Sequence, residues 1–230
     1  MKPQEIFRKV KEEGRKNLTE FEAREVLTAY GIPVVKGEIA DSFDKALAIA
    51  NKIGYPVVLK VVSKDIIHKT EVDGVVLDVK NEKELKLGYN QILRSVKLHK
   101  PKAEIDGVFV QEMASGGYEV IIGGKLDHTF GHVILFGFGG IFVEIFNDVS
   151  FRIVPITKED ALEMIEEIKA TKILKGYRGR KPADMNALVS LLLKTSKLLQ
   201  ESPEIRELDI NPVFALHDKA VAADARIIIG

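Results

Sequence analysis

Cysteine and tryptophan are both missing from this 230-residue chain. Without cysteine there are no disulfides, thiolate metal sites or cysteine nucleophiles. No apolar run approaches eighteen uncharged residues, so nothing reads as a membrane-spanning helix. The N-terminal stretch MKPQEIFRKVKEEGRK is charged and has no apolar h-region, so no signal peptide is read and the expected compartment is the cytoplasm. Net charge is absent too. Lys+Arg and Asp+Glu number 34 each, which argues against nucleic-acid binding driven by bulk charge and leaves only a local basic patch open. Neither GxxxxGK[ST] nor a helix-opening GxGxxG occurs, so the two commonest glycine-rich phosphate loops are excluded. The missing Cys and Trp, with abundant Ile, Lys and Glu, fit a heat-adapted proteome.

What is present is an ordinary globular mixture, 46% apolar and 30% charged, long enough for one large domain or two lobes. Thr19 with Glu22, Asn81 with Glu84 and Thr157 with Asp160 have capping spacings and predict helix starts. Phe21, Val26, Leu27 and Tyr30 mark one face of the first of these helices, which Gly31 and Pro33 end. Another helix is expected from about 42 to 53. The longest is expected over about 183–200, with Leu188, Leu191, Leu192, Leu198 and Leu199 as its buried stripe. Strand-like runs lie between: YPVVLKVV, GVVLDV, GVFVQEM, YEVIIGGKL, HVILF, FRIVPI, VFAL and AVAADARIII. Short Gly or Asp turns between several of them predict antiparallel pairing. The fold class is mixed α/β (α+β) without a regular βαβ rhythm. The expected seam falls near 100–111.

Three constellations carry candidate chemistry. Lys60, inside VVLKVV, is either an edge lysine in solvent or an ammonium fixed by a sheet to meet phosphate as a point charge. QEMASGGYEV is either an ordinary hairpin or a strand-to-linker crossing. In the latter, backbone N–H and C=O after the strand end at Met113 would meet an adenine edge, and a carboxylate a few residues on, Glu119, would bind ribose hydroxyls. In ELDINPVFA…AVAADARIII, Asp209 and Asn211 share one strand face, and a pairing strand can bring Asp224 to it, with Glu207 at the same parity. Oxygen donors of this kind suit Mg²⁺. Arg152 reads equally as a phosphate clamp or a structural ion pair. FGFGG (136–140) brings backbone close to a partner, a nucleotide or its own turn. His128 and His132 bracket Gly131 between strand-like runs, so they do not form a helical zinc pair.

The motifs VVLKV, HKTEVDGV, QEM…GGYEVIIG, FGGIFVE…DVSFR and ELDINPV…ADAR, in this order, resemble the β subunit of archaeal ADP-forming acetyl-CoA synthetases, over essentially the whole chain. That family is similar to succinyl-CoA synthetase. The resemblance implies an ATP-grasp fold whose two lobes clamp ATP or ADP. It implies an N-terminal helix (1–20) on the larger lobe, a smaller lobe (21–110) with Lys60 and the His68 loop, and a larger lobe (111–230) with the metal site. It also implies Lys60 on the nucleotide phosphates, an adenine hinge at Gln111, Glu112 and Met113 with Glu119 on ribose, Mg²⁺ at Asp209, Asn211 and Asp224, and a phosphate loop of Lys69, Thr70 and Gly74. His68 would take a phosphoryl group from a CoA-binding α subunit, in an α2β2 heterotetramer, and pass it to ADP. A neutral imidazole near pH 7 suits such a carrier. One departure stands out: the loop reads Asp73-Gly74 where a glycine pair is usual. Asp tolerates left-handed backbone better than most residues. Two other functions fit part of this pattern, a self-contained ATP-grasp carboxylate ligase and a non-catalytic nucleotide-binding regulatory subunit.

Overall fold

The computed structural model describes residues 2–66, 69–114, 116–140 and 148–230. Its helices are α1 (Pro3–Glu12), α2 (Glu20–Ala29), α3 (Phe43–Ile53), α4 (Glu82–His99), α5 (Lys158–Glu167), α6 (Thr171–Leu174) and α7 (Met185–Glu201). Its strands are β1 (Gly37–Ala40), β2 (Val57–Val62), β3 (Val75–Val79), β4 (Gly107–Glu112), β5 (Tyr118–Asp127), β6 (Gly131–Phe138), β7 (Val149–Ile153), β8 (Ile205–Ala215), β9 (Ala220–Ala222) and β10 (Ala225–Ile229).

The caps form where the spacing predicts. The Thr19 hydroxyl accepts the Glu22 N–H, and the Glu22 carboxylate accepts the Thr19 N–H in return. Thr157 and Asp160 repeat this box. The Asn81 side chain accepts from the Glu84 N–H. Two details differ from expectation. Phe21 is exposed rather than part of the buried stripe of α2. The longest described helix is α4, with 18 residues, against 17 for α7. Strong apolar periodicity drew attention to α7, whereas α4 carries more charge and has the narrower buried face.

Two compact units emerge, 1–34 with 115–230, and 35–114. The sequence reading drew its seams after residues 20 and 110. The units instead divide after 34 and 114, because Ala23, Val26 and Leu27 of α2 join the core of the larger unit.

In the unit 35–114 a four-stranded antiparallel sheet runs β1-β4-β2-β3. Val57, Leu59, Val61, Val108 and Val110 point to one face, against Ala46, Ile49 and Ala50 of α3 and Leu85, Ile92 and Val96 of α4. Alternation sends Val58, Lys60, Phe109 and Gln111 to the other face.

In the larger unit a six-stranded antiparallel sheet runs β10-β8-β5-β6-β7, with β9 on β8. Val120 and Ile122, Ile134 and Phe136, Leu208 and Ile210, and Ala225 and Ile227 form its inner face. The same core takes Ile6, Phe7 and Val10 of α1, Met164 and Ile165 of α5, and the predicted leucine stripe of α7. The chain's N-terminal segment is stapled to its last strands. Leu18 N–H donates to Ile227 C=O at 3.0 Å, Ile229 N–H to Lys16 C=O at 2.8 Å, and Ala222 N–H to Pro33 C=O at 2.9 Å. The outer face of this sheet carries the candidate acids.

Candidate functional site

In the smaller unit, Lys60 is not an edge lysine. Strand β2 has β4 on one side and β3 on the other, and the side chain is only 6% exposed. An ammonium withdrawn from water favours a negatively charged neighbour, which is the property a phosphate anchor needs. In register, Lys60 lies opposite Phe109 and Val58 opposite Gln111. Lys60 and the Gln111 side chain therefore share one face of the sheet.

That side chain was missed by the sequence reading, which considered only the backbone at 111–113. Gln111 is 3% exposed, and its Oε1 is buried with no hydrogen-bond partner among the described residues. A buried acceptor left in this state costs roughly 1–3 kcal/mol, so it marks a place that a donor-bearing ligand would satisfy. The signal was available: in GVFVQEM a polar amide sits where the alternation calls for a buried residue. The backbone tells a different story. Glu112 N–H already donates to Lys36 C=O at 2.8 Å, and Met113 N–H to Pro56 C=O at 3.2 Å. An adenine edge at this crossing must use groups other than these two N–H donors.

The candidate phosphate loop is described from Lys69 onward; His68 lies outside the described residues. Lys69–Val72 form one 3₁₀ turn. Asp73 N–H donates to Thr70 C=O at 3.3 Å and Gly74 N–H to Lys69 C=O at 2.7 Å. Those two amides close the turn, so they are not free to cradle phosphate. Asp73 adopts a left-handed φ of 48°, as its replacement of a glycine demands, and its carboxylate accepts from the Ser95 hydroxyl at 3.2 Å. Gly74 is a steric requirement. A Cβ there would lie 2.6 Å from Val61 Cγ1 and 3.0 Å from Lys69 C=O.

In the larger unit, Glu207, Asp209 and Asn211 alternate along β8 with the buried Leu208 and Ile210, so they share the outer face. Strand β10 pairs beside them, with Asp209 opposite Arg226 and Ile210 opposite Ala225. Asn211 N–H donates to Asp224 C=O at 3.2 Å, which locks the segment bearing Asp224 against β8. The Asp224 carboxylate accepts from Ala225 N–H at 2.8 Å. Burial pushes the Asp209 carboxyl above its usual range. Arg226 pulls it down, and Asp224 and Glu207 push it further up. A divalent cation favours the charged form in such a place, and a carboxylate–amide oxygen set is hard enough for Mg²⁺. Among the described residues no three His, Asp or Glu converge as a metal group. Asp209, Asn211 and Asp224 are the residues that would hold a Mg²⁺ here, with water and ligand oxygens for the rest of its shell.

Glu119 begins on the same outer face, one residue into β5, and is exposed. The glycine-rich stretch after β6 closes on it. Gly139 N–H donates to Glu119 C=O at 2.7 Å, and a Cβ at Gly139 would sit 3.0 Å from that carbonyl. The close approach read from FGFGG is thus to the chain's own strand. Arg152 points to the helix side of β7, where Glu163 at 3.2 Å and Glu167 of α5 hold its guanidinium. These acids raise its pKa further, Glu167 most. A phosphate could be clamped by Arg152 only if one of these carboxylates let go. His132 Nε2 lies 2.8 Å from Ile205 C=O, a structural contact and not a metal ligand.

Comparison with known proteins places this geometry. A family model described as an ATP-grasp domain matches residues 9–229. The chain is 49% identical to "Acetate--CoA ligase [ADP-forming] I subunit beta" of Pyrococcus furiosus over 99% of this chain and 98% of that one. It is 48% identical to "Acetate--CoA ligase [ADP-forming] I" of Archaeoglobus fulgidus, spanning 100% of this chain but 33% of that longer one. Among solved structures, acetyl-coenzyme A synthetase 1 of Ca. Korarchaeum cryptofilum with coenzyme A and Ca-AMPCP matches with a TM-score of 0.95 at 44% identity, covering 99% of each chain. A second structure from that organism, with coenzyme A and Mg-AMPPCP, matches with a TM-score of 0.87 at 39% identity, over 99% of this chain and 100% of that one. It is described with its phosphohistidine segment pointing towards the nucleotide binding site.

Proposed function

We infer the reaction from one premise: the chain belongs to the ATP-grasp domain family, among the β subunits of ADP-forming acetate–CoA ligases. It is the nucleotide-binding subunit of an acid–CoA ligase that couples acetyl-CoA + ADP + Pi to acetate + ATP + CoA. The observation that carries this reading is the end-to-end match to a free-standing β subunit, 98% of whose length is covered. A CoA-binding α partner supplies the acyl chemistry, and the assembly we propose is α2β2.

Within that reaction we assign His68 as the phosphoryl carrier. One ring nitrogen of a neutral imidazole forms an N–P bond to the phosphoryl group carried on a histidine of the partner, whose own N–P bond breaks as that imidazole leaves with the electron pair. At the nucleotide, an oxygen of the ADP β-phosphate forms the new P–O bond while the N–P bond breaks, and the imidazole leaves with the electron pair. Splitting one long transfer into two short ones is the logic of covalent catalysis. In-line placement and charge neutralisation then do most of the remaining work. Lys60 neutralises phosphate charge from the sheet face that it shares with the Gln111 side chain. Glu119 accepts from ribose hydroxyls. Asp209, Asn211 and Asp224 hold Mg²⁺, which when bound neutralises phosphate oxygens. The Asp73-Gly74 turn keeps the segment after His68 in register with β2, through Val61 N–H donating to Gly74 C=O at 2.7 Å.

Incubating the αβ enzyme with labelled ATP and Mg²⁺, then digesting it, should place acid-labile phosphate on the peptide that contains His68. A His68→Ala enzyme should form no phosphoenzyme and no ATP. Normal ADP-dependent turnover by that variant overturns the carrier assignment.

A further inference from the structure

We propose that the outer face of the six-stranded sheet, at its β6–β7 end, is the docking surface for the CoA-binding partner subunit. The proposal rests on the reading above, which calls for a partner without saying where it sits.

Phe151 and Ile153 alternate along β7 with Ser150 and Arg152. The latter two face the helices, where the Ser150 hydroxyl donates to Met164 C=O at 2.8 Å. The two apolar side chains therefore point outward from β7, the last strand of the sheet among the described residues, and each is 53% exposed. Behind them on the same face lie Leu135, opposite Phe151, and Val133, opposite Ile153, both half-buried. Phe130, at the tip of the β5–β6 turn, is a third exposed apolar side chain at this end of the sheet, 60% exposed. That turn is not loose, since the Asp127 carboxylate accepts from both Thr129 and Phe130 N–H, at 2.7 and 3.1 Å. Soluble chains usually protect a terminal strand with charge or a short edge. Several large apolar side chains presented together on such a strand mark a contact surface.

The register says which contact. Phe151, Leu135, Gly123 and Asp209 stand directly opposite one another across four strands and form one row on one face. At about 4.8 Å per strand, three steps put Phe151 roughly 14 Å from Asp209. Gly123, which has no side chain, leaves the row low between the apolar end and the acid. A protein seated on Phe151 and Ile153 thus shares a sheet face with the carboxylates proposed for the nucleotide's metal, roughly 14 Å from Asp209. This is where a subunit exchanging a phosphoryl group with that nucleotide must reach. In the Archaeoglobus relative the matching sequence is one third of a single chain. The Pyrococcus relative is a separate subunit, and an enzyme divided in that way must hold its partner by surface alone.

The test uses the full-length chain co-expressed with its CoA-binding subunit. Phe151→Asp with Ile153→Asp should weaken subunit association at least tenfold by native mass measurement and sedimentation, while ADP affinity of the β chain by calorimetry stays within twofold. Phe130→Asp, at a turn tip outside the core, should weaken association as well and keeps the test alive if the double variant does not fold. Full complex formation by the folded charged variants overturns the proposal. So does a β–β dimer that the substitutions abolish while partner binding persists. If the unaltered chains neither associate nor form a phosphoenzyme, the proposed reaction falls with it.

Discussion

Asp148, in the DVSFR motif, has a role the structure states in full. Its carboxylate is 6% exposed, and it accepts Lys169 N–H at 2.7 Å on Oδ1 and Ala170 N–H at 2.8 Å on Oδ2. It thereby ties the start of β7 to the link between α5 and α6. Hydrogen bonds to a charged group are each worth about 1.5–3 kcal/mol. Asp148→Ala removes both and strands two backbone donors, so the loss should be roughly 3–6 kcal/mol. Asp148→Asn keeps one oxygen acceptor but turns an NH₂ toward the other donor, and should lose about half of that. Equilibrium unfolding in guanidinium, which reads a shift in midpoint at constant slope, separates the three proteins. The expected order is Asp, Asn, Ala, with well-resolved steps. An alanine variant within about 1 kcal/mol of the parent would show that the carboxylate does not carry these bonds.

Glu22 gives a pH prediction. Burial pushes its pKa up, but hydrogen bonds from Arg15 (at 3.0 and 2.8 Å) and from Thr19 outweigh it, and the net shift is downward. Its stabilising contribution is thus present above the usual carboxylate range and lost as pH falls through the depressed folded value. Glu22→Gln should flatten acid unfolding below about pH 5, followed by circular dichroism. Asp73→Gly should leave stability nearly unchanged, because relief of the left-handed backbone offsets loss of the Ser95 contact. Asp73→Ala should cost about 1–2 kcal/mol, measured by the same unfolding assay. Asp209→Asn and Asp224→Asn should each reduce Mg²⁺-dependent ADP affinity at least tenfold by calorimetry and leave the metal-free affinity within twofold. An equal loss with and without Mg²⁺ would remove these residues from the metal site.

The caps show what sequence reads well. Thr19, Asn81 and Thr157 act through neighbours three residues away, so nothing distant can overrule them. Strand β1 was missed because KGEIA is short and mixed, and only pairing with β4 makes it a strand. Asp209 and Asn211 on one face follow from two-residue alternation. The lock between Asn211 and Asp224 depends on how β8 and β10 meet, which alternation does not encode. Lys60 was legible as a candidate, but whether it was an edge residue required the strand order. The Gln111 amide at a buried position was legible from alternation, but its unsatisfied oxygen depends on packing that the sequence does not encode. For Arg152 both readings were open in sequence, since the acids that hold it lie on a helix eleven and fifteen residues further along.

The staples between Lys16, Leu18 and Pro33 and the strands at the far end of the chain set an order on biosynthesis. On the ribosome, residues 35–114 can complete their own sheet early, because every strand of it is contiguous in the message. Lys16, Leu18 and Pro33 precede that unit in the chain, yet their backbone partners Ile229, Ile227 and Ala222 are translated only after it. The larger unit therefore closes these backbone bonds only after the smaller unit has been made.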